Sequence, residues 1–174
     1  VTASASKYTL TGGTHTFDMS PVSVNVSGSM EYNGTNVIDS SDLLLTNLLT
    51  GETVSLSGQG TVVSADVGAN KAVTSVNLAL TGPNASNYTL NSYTTSFEIL
   101  PKVISLTGTK VYDGQTTVPN ANLTVTTGVS GESLGLKGSG SVISAAVGNG
   151  KTISLGTLQL DSIGSGSDGN YTLT

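Results

Sequence analysis

The chain repeats itself at a fixed spacing of 80 residues, and that period constrains the fold more than any other feature. Tyr32-Asn33-Gly34 returns as Tyr112-Asp113-Gly114, Phe17 as Phe97 and Pro21 as Pro101. Lys7-Tyr8-Thr9-Leu10 returns as Asn87-Tyr88-Thr89-Leu90, Gly51-Glu52 as Gly131-Glu132, and Val67-Gly68 with Lys71 as Val147-Gly148 with Lys151. Only the stretch from Asp161 to Gly169 slips, placing Asn170-Tyr171-Thr172-Leu173 three residues late, as an insertion in a turn would. A long fixed period marks an array of similar units. A unit of this length is large enough to own a core, unlike the shorter coils of a solenoid. The landmarks divide the chain into residues 1–21, read as the terminal strands of a preceding unit, a complete unit at 22–101, and a unit at 102–174 that lacks its last strand.

Within each unit the apolar residues alternate. Val22, Val24 and Val26 are spaced by Ser23 and Asn25, and Val76, Leu78 and Leu80 by Asn77 and Ala79. In the second unit Ile104 and Leu106, Leu134 and Leu136, and Leu158 and Leu160 each skip one residue. Period two means strands with one buried and one wet face, joined by the intervening Gly, Asn, Asp and Ser turns. Short strands separated by turn signals every eight to twelve residues predict an all-β fold of tandem immunoglobulin-like β-sandwich units. Asn87-Tyr88 and Asn170-Tyr171 fit a tyrosine corner, in which a Tyr early in a late strand bonds back to the preceding loop. They fit equally well as aromatic bulk in a core short of Phe and Trp. A β-grasp-like unit, with a short helix near residue 42, is the alternative architecture.

Composition narrows the function. The six basic residues are all lysine and acidic residues number 11, so the net charge of −5 does not suit a phosphate backbone, and nucleic acid is not an expected partner. Charged residues are only 10% of the chain, with Ser, Thr, Asn and Gly filling the polar positions. Such surfaces are usual in secreted, extended β-proteins. Cysteine is absent, so packing alone must hold the units together. No apolar run is long enough for a transmembrane helix, so membrane insertion is not expected.

The motifs carry little chemistry. His15 is the only histidine and Thr95 stands at its repeat position, which removes a histidine-based triad or zinc site from consideration. Asp113 beside Tyr112 resembles an acid next to a phenol, yet Asn33 fills the same place in the first unit. A catalytic carboxylate would not tolerate that exchange. Tyr32-Asn33-Gly34 and Tyr112-Asp113-Gly114 read instead as turns, since Asn and Asp bond to nearby backbone and Gly accepts positive φ. Asp39 with Asp42, and Asp161 with Asp168, fall short of the oxygen density of a calcium loop. Lys71 and Lys151 recur as candidates for an isopeptide cross-link, against the plainer reading of lysines at a loop edge. Asn25, Asn33, Asn84, Asn87, Asn122 and Asn170 each open an Asn-x-Ser/Thr acceptor pattern for N-linked sugar, in a composition that also generates such patterns by chance. No cofactor is expected, and the chain reads as non-enzymatic.

Lys110-Val111-Tyr112-Asp113-Gly114-Gln115-Thr116-Thr117, followed by Gly131-Glu132, Val147-Gly148, Gly150-Lys151 and Gly169-Asn170-Tyr171-Thr172-Leu173, resembles the YDG repeat of large bacterial surface adhesins. The first unit matches with Asn33 for the central Asp. The resemblance implies a filamentous-haemagglutinin-like exoprotein of Gram-negative bacteria, exported by two-partner secretion, with these repeats as stalk units. It implies roles in adhesion, autoaggregation or biofilm cohesion at the cell surface, with neighbouring repeats and a host-cell or matrix receptor as partners. A carbohydrate- or protein-binding module using the loops around Tyr32 and Tyr112 is the rival reading, and a self-assembling matrix or surface-layer unit a third.

One consequence follows from the frame. A second unit without a counterpart of Tyr93 to Leu100 presents a sheet edge with unpaired backbone groups, and such edges recruit strands. Residues 7–19 are a piece of the matching kind, expected either to pair with the edge of a neighbouring molecule's second unit, head to tail, or to belong to a permuted frame that begins near Tyr8 and Tyr88.

Overall fold

The computed structural model describes residues 17–90 and 94–174 of the 174-residue chain. His15, Tyr8, Tyr93 and most of the leading segment lie outside the described residues. Residues 17–21 carry no strand.

The chain is all-β, in two sandwich-like units. The first holds β1 (Val22–Glu31), β2 (Val37–Asp39), β3 (Leu43–Thr46), β4 (Ser55–Ser57) and β5 (Gln59–Thr61). It continues with β6 (Gly68–Ser75), β7 (Ala79–Thr81), β8 (Tyr88–Leu90) and β9 (Thr94–Leu100). The second holds β10 (Lys102–Ile104), β11 (Leu106–Gly108), β12 (Thr117–Pro119), β13 (Leu123–Val125) and β14 (Gly135–Lys137). Then follow β15 (Ser139–Val142), β16 (Ile153–Ser154), β17 (Gln159–Asp161) and β18 (Tyr171–Leu173).

The pairing repeats with the sequence. Val37 faces Thr61 as Thr117 faces Ser141, Ser55 faces Thr81 as Gly135 faces Asp161, and Gly28 faces Leu43 as Gly108 faces Leu123. Alternation sets which side is buried: Val24 and Val26 are enclosed while Ser23 and Asn25 are exposed, and Phe97 and Ile99 are both 0% exposed. The main sheet of the first unit runs β2-β5-β6-β9-β1-β3, with the start of β1 parallel to β8 and its end parallel to β9. Those parallel pairs make the sheet mixed, which alternation alone does not reveal. The helix required by the β-grasp-like alternative is a single 3-10 turn at Ser40–Asp42, matched by another at Asn120–Asn122.

The units differ in more than the loop at 161–169, contrary to a simple superposition of repeats. Among the described residues no strand fills in the second unit the place that β9 fills in the first. Its two neighbours shrink accordingly. The ten-residue β1 becomes the short β10 and β11, and the eight-residue β6 becomes the two-residue β16. A strand needs a ladder partner on at least one side, and here the partner sets the length. The corresponding region of the second unit is a groove of about 530 Å³ bounded by residues 106–113 and 142–153.

One core serves both units. Val26, Ile38, Phe97 and Ile99 of the first belong to the same buried cluster as Ile104, Leu160 and Tyr171 of the second.

Candidate functional site: the joint between the two units

The place where the units meet is built by the repeat motifs themselves. β1 and β9 end side by side, the Tyr32 amide donating to the Leu100 carbonyl at 2.9 Å, and the chain passes through Pro101 into β10. This delivers Tyr32 to the second unit. Its hydroxyl donates to Glu132 Oε1 at 2.6 Å, and the Tyr171 hydroxyl donates to Oε2 of the same carboxylate at 2.6 Å. The two rings pack edge to face, 5.4 Å between centroids and 76° between planes, a favoured aromatic geometry. Tyr32 is 5% exposed and Tyr171 6%.

Glu132 is held from behind. Its amide donates to the Val129 carbonyl at 3.2 Å, and the buried Thr127 hydroxyl reaches the Glu132 carbonyl at 3.0 Å. Burial, reinforced by the hydrogen bond to Glu132, pushes the Tyr32 phenol up to about 12, and the same causes in the same order raise Tyr171.

Asn170 forms the second contact. It is 4% exposed, accepts from the Val67 amide at 2.9 Å, and donates through Nδ2 to Asp66 Oδ1 at 3.0 Å. That amide, with Ser64, holds the Asp66 carboxyl below its ordinary value. Lys102 and Glu31 close the rim at 2.8 Å, an exposed pair worth about 0–1 kcal/mol, and the lysine holds the Glu31 carboxyl low.

The turn reading of the tripeptides holds in detail. Asn33 Oδ1 accepts from the Thr35 amide at 2.9 Å, and Asp113 Oδ1 from the Gln115 amide at 2.9 Å. Gly34 has φ +80 and Gly114 φ +77. The first also permits close approach, because a Cβ there would stand 2.6 Å from Val129 Cγ1, whereas Gly114 has nothing within 4 Å.

Several expectations need correction. Tyr32 and Tyr112 are not equivalent: Tyr32 is buried against the second unit, and Tyr112 is 65% exposed. Tyr88 and Tyr171 do not bond back to the loop before their strands. Both donate to a glutamate in a distant loop, Tyr88 to Glu52 between β3 and β4 and Tyr171 to Glu132 between β13 and β14, and Tyr88 also accepts from the Leu49 amide at 3.0 Å. Asn170 is sealed in the joint, so it is no glycan acceptor in this fold.

The other sequon asparagines are partly engaged. Asn84 accepts from the Thr53 amide, Asn87 donates to Glu52, Asn122 donates to the Thr109 carbonyl, and Asn33 is tied into its turn. The exposed Asn25 donates its amide to Asn47. Lys71, within β6, and Lys151 make the same bond, to the carbonyls of Ser64 and Ser144 at 3.1 Å.

Asp39 accepts from Gln59, and Asp168 from Ser162. Among the described residues no three His, Cys, Asp or Glu side chains come together to hold a metal, and no helix is long and apolar enough to cross a membrane.

Glu52 and Glu132 were visible in the sequence as repeated acids in a charge-poor chain. Their role was not, since their partners lie 36 to 100 residues away. The YDG domain family matches this chain twice, over residues 16–96 and over residues 100–174. No curated protein and no solved structure matches it.

Proposed function

The chain belongs to the YDG domain family, and from that premise we propose that its two units are spacer elements of the stalk of a secreted bacterial surface adhesin. The observation that carries the reading is the joint. A half-buried carboxylate bridging two buried tyrosines, with a core running across the boundary, fixes the direction of one unit relative to the next. Buried, fully paired polar contacts of this kind specify one arrangement, because any other leaves a charge without its donors. A stalk needs that property, and a freely hinged string of domains lacks it. The filamentous-haemagglutinin-like context, the Gram-negative cell surface and a role in autoaggregation or biofilm cohesion come with the resemblance of the repeats. Catalysis plays no part in this role.

The rival binding reading loses one of its two loops, since Tyr32 is enclosed in the joint. Glycan-array and cell-binding measurements on this chain test the proposal. A spacer gives no saturable binding to host glycans or cells, while saturable binding abolished by Tyr112→Ala would make the units a receptor-binding module instead.

A further inference from the structure

The first and last strands of the first unit are neighbours in one sheet, and they run the same way. Gly28 of β1 lies opposite Phe97 of β9, Ser29 opposite Glu98, Met30 opposite Ile99 and Glu31 opposite Leu100. Because the pair is parallel, the start of β1 and the end of β9 lie at opposite ends of the ladder. The chain enters β1 from Pro21 and leaves β9 into Pro101. Tension carried along the chain therefore pulls the two strands past each other, along their length, and loads the ladder bonds together. An antiparallel pair of first and last strands would have put both attachment points at one end, where tension opens a ladder one bond after another.

β1 is held on both edges against that sliding. Its first residues pair with β8, also in parallel, Val22 opposite Tyr88 and Val24 opposite Leu90. Its middle pairs with β3, from Asn25 opposite Thr46 to Gly28 opposite Leu43. Asn47, just beyond β3 and at φ +59, extends that grip: its Nδ2 donates to the Ser23 carbonyl at 2.6 Å, and its Oδ1 accepts from the Asn25 amide at 3.3 Å. At the far end the Tyr32 amide bonds the Leu100 carbonyl and Glu31 pairs with Lys102, so the end of β1 is tied to the segment that leaves the unit. β9 is gripped in turn by β6, with Lys71 opposite Phe97 and Gly68 opposite Ile99. Val24, Val26, Phe97 and Ile99 bury one face of these strands, and on that side no water can take the place of a stretched ladder bond.

We infer that the first unit has a further function as a tension-bearing clamp, in which β1 is locked against β3, β8 and β9 and yields only when those ladders shear together. The force at which such a clamp gives way reports the barrier to unfolding rather than the equilibrium stability. The same unit is therefore strong when pulled along its strands and weak when pulled across them. The inference rests on strand order and register. It goes beyond the spacer reading, since a spacer could equally be built from units that unzip.

The test pulls single molecules of the full chain, which has no cysteine of its own, by handles attached at engineered pairs. Ser20→Cys with Ser105→Cys loads β1 at its start and β9 beyond its end, along the strands, and leaves most of the second unit outside the path of the load. Ser20→Cys with Ser86→Cys loads the unit at one end, beside Val22 and its partner Tyr88, across the strands. All three serines are exposed, so both variants keep the parent fold and only the direction of load differs. At one loading rate, the inference predicts that the first pair gives way at about twice the force of the second or more. It also predicts a single step that releases residues 22–101 at about 3.5 Å per residue. Comparable forces in the two directions would overturn it, and so would release of β1 at low force ahead of the rest of the unit in the first pair. Neither result bears on whether the chain binds glycans or cells, so the clamp and the spacer reading fail separately.

Discussion

Tyr32 of the first unit donates to Glu132 of the second at 2.6 Å, across a hundred residues of chain, and so spends the motif tyrosine on the neighbouring unit. The tyrosine is buried at Tyr32, against the second unit, and exposed at Tyr112. The tripeptide is thereby a turn and a plug in the first unit and a turn alone in the second.

That asymmetry makes the two tyrosines separable by mutation. Tyr32→Phe strips a donor from a half-buried carboxylate and should lower unfolding stability by about 1–3 kcal/mol. Tyr112→Phe, at an exposed site, should stay within about 0.5 kcal/mol of the parent at concentrations where the chain is monomeric. Urea midpoints decide, and equal losses at the two positions would remove the distinction.

The glycines should divide in the same way. Gly114→Ala meets only the strain of a positive φ, about 1–2 kcal/mol. Gly34→Ala meets that strain and the methyl of Val129 as well, so it should cost more. Thermal melts of the pair would show a larger drop for Gly34→Ala.

Asn170 allows a third comparison. Asn170→Asp sets a carboxylate against Asp66 and leaves the latter without its amide donor, so the variant should be less stable than Asn170→Ser at neutral pH. The gap should narrow as the pH falls and the carboxylates protonate. A gap independent of pH would place Asp66 outside the joint.

Stability should also depend on pH at both extremes. The phenols of Tyr32 and Tyr171 titrate above their ordinary value of 10.0 in the folded chain. Their contribution is therefore complete below about pH 10 and fades as the pH rises through about 12, where Tyr32 ionises. Glu31 and Asp66 are shifted down from 4.5 and 3.8, so their contribution is present above those values and fades as the pH falls beneath them. Urea midpoints across the pH range should fall at both ends, and Tyr32→Phe should flatten the alkaline limb.

Much of the architecture was legible in the residues because period two and period 80 are local or additive signals. Val24 and Val26 announce a strand face, and the match of Val37 and Thr61 to Thr117 and Ser141 follows from the repeat. What stayed hidden depends on partners distant in sequence. The parallel pairing of β1 with β9 leaves no trace in alternation, and Glu132 looks like any surface acid until Tyr32 and Tyr171 are brought to it. Tyr88 and Tyr171 do supply aromatic bulk to the core, but nothing near them in sequence points to the glutamate that each of them meets. The sealing of Asn170 inside the joint could not be seen in its sequon.

A double-mutant cycle on Tyr32→Phe and Glu132→Gln tests most directly whether this contact couples the units. The account predicts that the two losses fall short of additivity by about 1 kcal/mol or more, within the range for directly bonded pairs. Losses that add to within about 0.3 kcal/mol would mean that the two side chains are neighbours without energetic connection, and the joint would not be what holds one unit to the next.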